Sequence, residues 1–198
     1  MNIVMLVGQH VGQIGILAAQ ACGHRIIAAV PYDEDCKKIV LRLGIQAFDS
    51  VKQLRFTDGA RPVLLGPLGG EENQLGEVDA LVSVHGREII PPHILDHFEP
   101  QLRWNVHPYL DTHPGADPVG EALVAADWNP LRVYAHVLEA EVDSGRVLES
   151  VQKDMSLMSG DSMLIANRQL IYHLLYPLYT ALLIRMFTAA NHTNAGNY

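Results

Sequence analysis

Short apolar runs alternate with amphipathic segments along the first half of the chain. The runs at residues 2–7, 25–30 and 80–84 are rich in Val, Ile, Leu and Ala, as buried strands usually are. Residues 12–21 and 35–43 carry apolar side chains at helical spacing. Strands that alternate with helices predict a parallel sheet with crossover helices. We therefore expect an α/β fold with an open, mostly parallel, Rossmann-like twisted sheet and flanking helices.

The pattern changes in the second half, where two strand-like runs flank a turn and predict a β-hairpin. The last apolar stretch predicts a helix that begins near Gly160 or Asp161 and ends by Phe187, with an interruption at Pro177 left open. We expect one domain over residues 1–187 and a flexible tail over 188–198. A Gly- and Pro-rich stretch, residues 56–73, predicts a long irregular connection. The other predicted elements are helices at 91–98 and 120–126 and strands at 102–106, 132–138 and 146–152.

Polar side chains stand where the strand at residues 102–106 ends. Alternation along a strand places Asn105 and His107 on one face, and Asp143 lies in the predicted hairpin turn. An amide, an imidazole and a carboxylate together suit attack on a carbonyl group. The alternative is that the first two satisfy loop backbone and that Asp-Ser-Gly is ordinary turn chemistry.

Several linked motifs share the order and spacing of one known family. The sequence has Asn-x-His-Pro at a strand end, then a loop with glycine, then a hairpin with Asp-x-Gly. In these features it resembles the formyltransferases that use 10-formyltetrahydrofolate, and the resemblance implies the formyltransferase fold. The matching segments are Val82 to Pro91, Asn105 to Pro108, Gly115 to Pro118, Val133 to His136, and Asp143 to Gly145.

The resemblance implies a reaction and a role for each polar residue. The co-substrate is 10-formyltetrahydrofolate, and the acceptor is a primary amine. Asn105 and a protonated His107 would donate to the oxyanion of a tetrahedral intermediate, while Asp143 would orient His107 and help to carry the amine proton. Two alternatives stay open: hydrolysis of 10-formyltetrahydrofolate, and a non-catalytic ligand-binding protein of the same fold.

The resemblance also implies binding residues around this centre. The folate would lie between residues 84–90 and residues 138–143. His136, on a strand, would support the site from behind, although it could equally be a core histidine with satisfied hydrogen bonds. The implied folate contacts are Arg87, Ile89, Ile90, Glu139 and Val142, and the implied acceptor contacts are Gly8, Gln9, His10 and Tyr109.

One loop departs from the family pattern. The family continues His-Pro with Ser-Leu-Leu-Pro and then Arg-Gly, whereas this chain has Tyr109 to Gly115 in their place. Tyr109 adds bulk where a small hydroxyl is expected. Asp111 adds a carboxylate that would favour an imidazolium at His107 if the two approached closely.

The start of the first predicted helix bears on the acceptor. Residues 8–15 contain glycines but lack the spacing of a dinucleotide or Walker loop, so a tight strand-to-helix turn is expected. Its free amides could still receive part of an anionic acceptor. The purine-pathway branch of the family has Gly-Ser-Asn-type residues there for a substrate phosphate, and this chain does not match them. That mismatch argues against glycinamide ribonucleotide and leaves a small amine, such as an amino sugar on a nucleotide carrier.

Charge and composition exclude several other classes. Lys and Arg total 14 and Asp and Glu total 22, so the formal net charge is −8, which disfavours a nucleic-acid partner. The initiator-tRNA branch of the family also carries a further basic C-terminal domain. The deformylase branch carries an N-terminal regulatory domain, for which we expect no room in 198 residues.

Cysteine and histidine spacing predicts neither a disulfide framework nor a metal site. Cys22 and Cys36 form no CxxC pair, which favours a reducing cytoplasm, and His93 and His97 lack an adjacent third ligand. The apolar stretch 170–187 contains His173, Pro177 and Arg185, so we expect a buried helix rather than a membrane span. No targeting segment is expected, and a homo-oligomer is left open.

Overall fold

A computed structural model describes residues 1–59, 61–68, 73–155 and 168–195. The helices are α1 (Gln9–Ala21), α2 (Glu34–Arg42), α3 (Pro92–Leu95), α4 (Pro118–Val124) and α5 (Arg168–Ala195). The strands are β1 (Asn2–Val7), β2 (Arg25–Pro31), β3 (Gln46–Ala47), β4 (Val63–Leu65), β5 (Gln74–Glu77), β6 (Ala80–Val84), β7 (Arg103–Pro108), β8 (Leu131–Val137) and β9 (Val147–Lys153).

Seven strands form one mixed sheet in the order β3-β2-β1-β6-β7-β8-β9. The pairs from β3 to β7 are parallel, and β8 and β9 add an antiparallel hairpin at one edge. β1 and β6 lie in the middle and are buried on both faces, which explains their unbroken apolar sequences. The predicted α/β fold class is therefore confirmed.

Most predicted elements are present with shifted ends. β1 and β6 match their predicted limits, and β7 continues past the predicted end to Pro108. α1 begins at Gln9, before the predicted start at residue 12. α3 is shorter than the helix predicted over residues 91–98 and comprises Pro92–Leu95 only. These shifts bring the polar residues at the strand ends into regular structure.

The Gly- and Pro-rich stretch is not wholly irregular, so that prediction is wrong in part. β4 pairs with β5 in a separate antiparallel ladder, and Phe56 forms an isolated bridge to Leu64. Leu64 is fully buried in the core on one face of the main sheet. Burial of Leu64 depends on residues distant in sequence, which a local pattern does not reveal. Residues 60 and 69–72 lie outside the described part.

α5 is one long helix that packs on the sheet. It contacts β8, β9 and α1, and its buried side chains include Ile171, Leu175, Leu182 and Phe187. Length and composition alone would allow residues 168–190 to cross a membrane, but the buried face identifies a core helix, as predicted. The helix continues through Pro177 and past Phe187 to Ala195, so the predicted tail begins inside it. Its predicted start at residue 160 or 161 lies outside the described residues.

Candidate active site

The polar residues of β7 emerge beside a histidine of β8. Asn105 and His107 are two residues apart in β7 and lie on the same face of the strand. The antiparallel register places His136 directly opposite Asn105. His107 and His136 are buried, with exposed fractions of 8% and 1%. Strand pairing therefore fixes an amide and two imidazoles on one patch of the sheet.

Asp143 reaches this patch from the segment between β8 and β9. Its Oδ2 lies 3.3 Å from Nε2 of His107, and its Oδ1 lies 3.6 Å from Nε2 of His136. Asp143 has left-handed backbone geometry (φ 55°), and a side chain at Gly145 would collide with the backbone of Val137. The Asp-Ser-Gly sequence thus serves as a turn and also delivers a buried carboxylate to both histidines.

The backbone of Gly115 forms hydrogen bonds with both His107 and Asp143. Its carbonyl accepts a hydrogen bond from Nε2 of His107 at 3.0 Å, and its N–H donates to Oδ2 of Asp143 at 3.0 Å. Because a carbonyl oxygen can only accept a hydrogen bond, Nε2 carries a proton and is engaged by Gly115 and Asp143. Among the described residues, the buried Nδ1 of His107 has no hydrogen-bond partner. Nδ1 is consequently the nitrogen that can act on a bound molecule.

His136 holds Asn105 by its amide nitrogen. Nδ1 of His136 donates to the carbonyl of Val137 at 3.0 Å, and burial lowers the pKa of this imidazole, so the neutral ring presents a lone pair at Nε2. Nδ2 of Asn105 donates to that lone pair at 3.2 Å. This leaves the second N–H of Asn105 for another partner, and its buried Oδ1 has none in the described part of the chain.

These contacts determine which polar atoms of Asn105 and His107 can bind a ligand. Buried polar atoms without partners are uncommon in folded proteins and often mark positions where a ligand atom binds. Here the unpartnered atoms are Oδ1 of Asn105 and Nδ1 of His107. An amide and an imidazole can together donate to a developing oxyanion and accept an N–H from a nucleophile.

A cleft of about 510 Å³ opens over this patch, and it contains every predicted folate contact. Its lining includes Arg87, Ile89 and Ile90 from the segment after β6, and Glu139 and Val142 from the segment between β8 and β9. Ile89 and Val142 are 68% and 59% exposed, so the cleft has apolar edges. Exposed apolar groups around convergent polar ones are typical of small-molecule sites.

His85 lines the same cleft, although no role was predicted for it from the sequence. Val84 of β6 pairs with Val106 of β7, so His85 and His107 follow at adjacent strand ends. The pKa of His85 is lowered to about 4, first by burial and then by the charges of Arg87 and His107. Its φ of 64° is unusual for a residue other than glycine, and such geometry concentrates at functional sites. Its position directly after a buried strand could have identified it.

The predicted acceptor contacts at the start of α1 are only partly in the cleft. Gln9 lines it, whereas Gly8 is buried against the backbone of His85, where a side chain would clash. His10 is exposed and contacts the ring of Tyr176. Of these three residues only Gln9 lines the cleft, and Gly8 and His10 stay predictions as acceptor contacts. The amides of this helix are also not all free, because the N–H of Gln9 donates to Asp33.

Tyr109 does not line the cleft, so the prediction that its side chain contacts the acceptor is wrong. Its side chain is fully buried, and its hydroxyl donates to the carbonyl of Trp128 at 2.7 Å. The left-handed backbone at Tyr109 (φ 52°) turns the side chain into the core. Arg132 lies over the ring and pairs with Asp111 at 3.2 Å and with Asp127 at 2.8 Å. Asp111 is thus engaged at the surface, and the carboxylate beside His107 is that of Asp143.

In the described part of the chain, no three potential ligand side chains of His, Cys, Asp or Glu are grouped around a possible metal position. His97 stacks against Phe56, and His93 is exposed. Neither Cys22 nor Cys36 forms a disulfide within the described residues.

Comparisons with known proteins place the fold. No family model and no curated protein matches the sequence. Glycinamide ribonucleotide transformylase 1 from Geobacillus kaustophilus is similar in structure, with TM-score 0.64, 20% identity, and coverage of 94% of this chain and 98% of that one. Phosphoribosylglycinamide formyltransferase from Streptococcus pneumoniae gives TM-score 0.60, 19% identity, and coverage of 94% and 99%.

A formyltetrahydrofolate deformylase from Pseudomonas syringae pv. tomato gives TM-score 0.65 and 15% identity. The match covers 96% of this chain and 60% of the deformylase, so the similarity concerns one part of that protein. The structures therefore confirm the fold that the motifs implied: this chain has the fold shared by formyltransferases and formyltetrahydrofolate deformylases.

Proposed function

We propose that this protein transfers the formyl group of 10-formyltetrahydrofolate to a primary amine of a small molecule. The observation that carries the proposal is the contact of Asp143 with His107, together with the unpartnered Nδ1 of His107 and Oδ1 of Asn105. Satisfied polar networks that merely hold a loop leave no such atoms in a cleft. The formyltransferase fold supports the same reaction class.

The amine nitrogen attacks the formyl carbon, and a carbon–nitrogen bond forms as the carbonyl oxygen becomes an oxyanion. Nδ1–H of a protonated His107 and the free N–H of Asn105 donate to that oxygen, while Oδ1 of Asn105 accepts an N–H of the amine. Collapse breaks the bond to N10 of the folate. One proton passes from the amine to that nitrogen, with Asp143 holding His107 in place.

The lining of the cleft supports a folate as the ligand. Ile89 and Val142 offer exposed apolar contact for a flat ring, and the buried Ile90 adds to the apolar lining. Arg87 is exposed at the rim, where its charge favours carboxylate groups of a ligand. Glu139 pairs with Arg103 at 3.4 Å, so its backbone rather than its carboxylate is suited to contact the ligand.

We propose a small amine as the acceptor, with an amino sugar on a nucleotide carrier as one candidate. We also propose that the protein works in a reducing cytoplasm. Two structural neighbours are named for a phosphoribosyl or ribonucleotide acceptor. The start of α1 differs from a phosphate cradle in this chain, because Asp33 occupies the N–H of Gln9. We therefore do not extend the acceptor named for these neighbours to this protein.

A screen of primary amines against 10-formyltetrahydrofolate tests the proposal. Release of tetrahydrofolate that depends on the amine supports transfer. Binding of the folate without turnover by any amine would reject the catalytic proposal in favour of a ligand-binding role.

The deformylase neighbour makes hydrolysis a second candidate, since water could attack the same carbon in the same cleft. Hydrolysis yields formate at a rate that is independent of amine. Formate release without amine, and without any formylated amine when amine is added, would favour this second function.

A further inference from the structure

The amino end of α1 lies at the edge of the cleft and already holds a carboxylate. The N–H of Gln9 donates to Oδ2 of Asp33 at 2.5 Å, and Gln9 itself lines the cleft. The other oxygen of Asp33 accepts hydrogen bonds from the amides of Asp35 and Cys36, at 3.1 and 2.9 Å, in the first turn of α2. One side chain thus serves the first turns of two helices.

A helix start is ordinarily attractive to anions, because its first N–H groups lack partners and carry partial positive charge. Here Asp33 supplies the negative charge from within the protein. Burial alone would raise the pKa of Asp33, but the amide hydrogen bonds from Cys36 and Gln9 outweigh it and hold the pKa below its ordinary value. The carboxylate is therefore ionised at neutral pH.

An external anion at the same place would meet two obstacles. It would lose the N–H of Gln9, which is engaged, and it would approach the charge of Asp33 at close range. Two like charges a few ångströms apart repel strongly at the surface of a protein. The field of Asp33 also extends to His85 inside the cleft.

We propose that Asp33 is a specificity residue that excludes phosphate and other anions from the α1 end of the cleft. The group that the amine acceptor presents there is neutral or cationic. The identity of the acceptor rests on the proposed formyl transfer, whereas the exclusion of anions does not depend on it. An amino sugar on a nucleotide carrier would have to place its diphosphate elsewhere.

In the first test, inorganic phosphate is titrated into the protein, and NMR signals of the backbone amides of Gln9 and His10 monitor its binding. In Asp33→Ser, the hydroxyl can still cap α2 but no carboxylate engages Gln9. The matched control is Asp35→Ser, which removes the same charge from a carboxylate that pairs with Lys38 at 3.2 Å. We expect phosphate to bind Asp33→Ser about tenfold or more tightly than it binds the wild type and the control.

Equal binding by the wild type and Asp33→Ser, or no binding by Asp33→Ser, would overturn the proposal. If circular dichroism shows that Asp33→Ser is unfolded, Asp33→Asn replaces it, because Asn removes the charge and remains a strong helix cap. The same outcomes then apply.

The second test compares transfer to ethanolamine and to phosphoethanolamine. We expect the ratio of their kcat/KM values to shift about tenfold toward the phosphorylated amine in Asp33→Ser, and to stay at the wild-type value in Asp35→Ser. An unchanged ratio in Asp33→Ser would overturn the role in specificity. If no amine is formylated by any of the three proteins, the proposed function fails, while the phosphate titration still decides whether Asp33 excludes anions.

Discussion

The two ends of the cleft use carboxylates in opposite ways. At the β7 end, Asp143 lies behind His107 and engages its Nε2, so that Nδ1 remains without a partner. At the α1 end, Asp33 lies in front of the helix and takes the N–H of Gln9 for itself. The first arrangement supports a group that can act on a ligand, whereas the second uses up a group that could have bound one. The same side-chain type therefore promotes binding at one end and opposes it at the other.

The largest effect is expected when the side chains of Asn105 or His107 are removed from the β7 end of the cleft. We expect Asn105→Ala and His107→Ala each to lower kcat for formyl transfer by roughly 100- to 1000-fold, because each removes a donor to the oxyanion. Steady-state kinetics measures the loss, and circular dichroism checks the fold. His93→Ala, at an exposed position, is the control. Wild-type turnover in either site variant would reject the assigned roles.

The carboxylate behind His107 can be tested without change of shape. Asp143→Asn keeps the size of the side chain but removes the charge beside His107 and His136, so we expect a loss of about a hundredfold in kcat. Glu141→Gln makes the same charge change at an exposed position of the same segment and should retain full activity. Equal activity of the two variants would show that Asp143 does not orient His107.

His85 should make stability depend on pH. Its pKa falls from the ordinary 6.5 to about 4 in the folded chain, first through burial. The fold therefore favours the neutral ring, and the unfolded chain binds more protons between these values. The contribution of neutral His85 to the free energy of unfolding is complete above pH 6.5. It is lost as pH falls toward 4, and the loss is on the order of 1–2 kcal/mol after allowance for partial exposure.

Urea unfolding at several pH values measures this effect in the wild type and in His85→Asn. Asn tolerates the left-handed backbone and does not titrate in this range. A pH dependence that is the same in both proteins would contradict the assignment to His85.

The smallest expected effect concerns Tyr109, which lies near the site in sequence but faces the core. Tyr109→Phe removes the hydrogen bond to Trp128, so the free energy of unfolding should fall by about 1 kcal/mol. Formyl transfer should keep its wild-type kcat and KM. A raised KM for the amine with unchanged stability would restore Tyr109 as an acceptor contact.

The fold was largely predictable because apolar runs of strand length alternate with helical patterns. β1 and β6 match their predicted limits, since burial on both faces requires unbroken apolar sequence. β4 was not predicted, because its pairing with β5 accompanies the packing of Leu64 against core residues that are distant in sequence. Residue periodicity reports on burial of regular elements and says little about short pairings in loops.

The sheet, the alternation that places Asn105 and His107 on one face, and the turn that contains Asp143 could all be predicted from the sequence. Those features follow from local geometry, because side chains alternate along a strand and glycine permits close turns. Which polar atoms remain available to a ligand depends on tertiary contacts. The tertiary structure turned Tyr109 inward, brought His85 beside His107, and set Asp33 against α1. These outcomes depend on backbone conformation and on contacts between distant segments, and the order of residues along the chain does not reveal them.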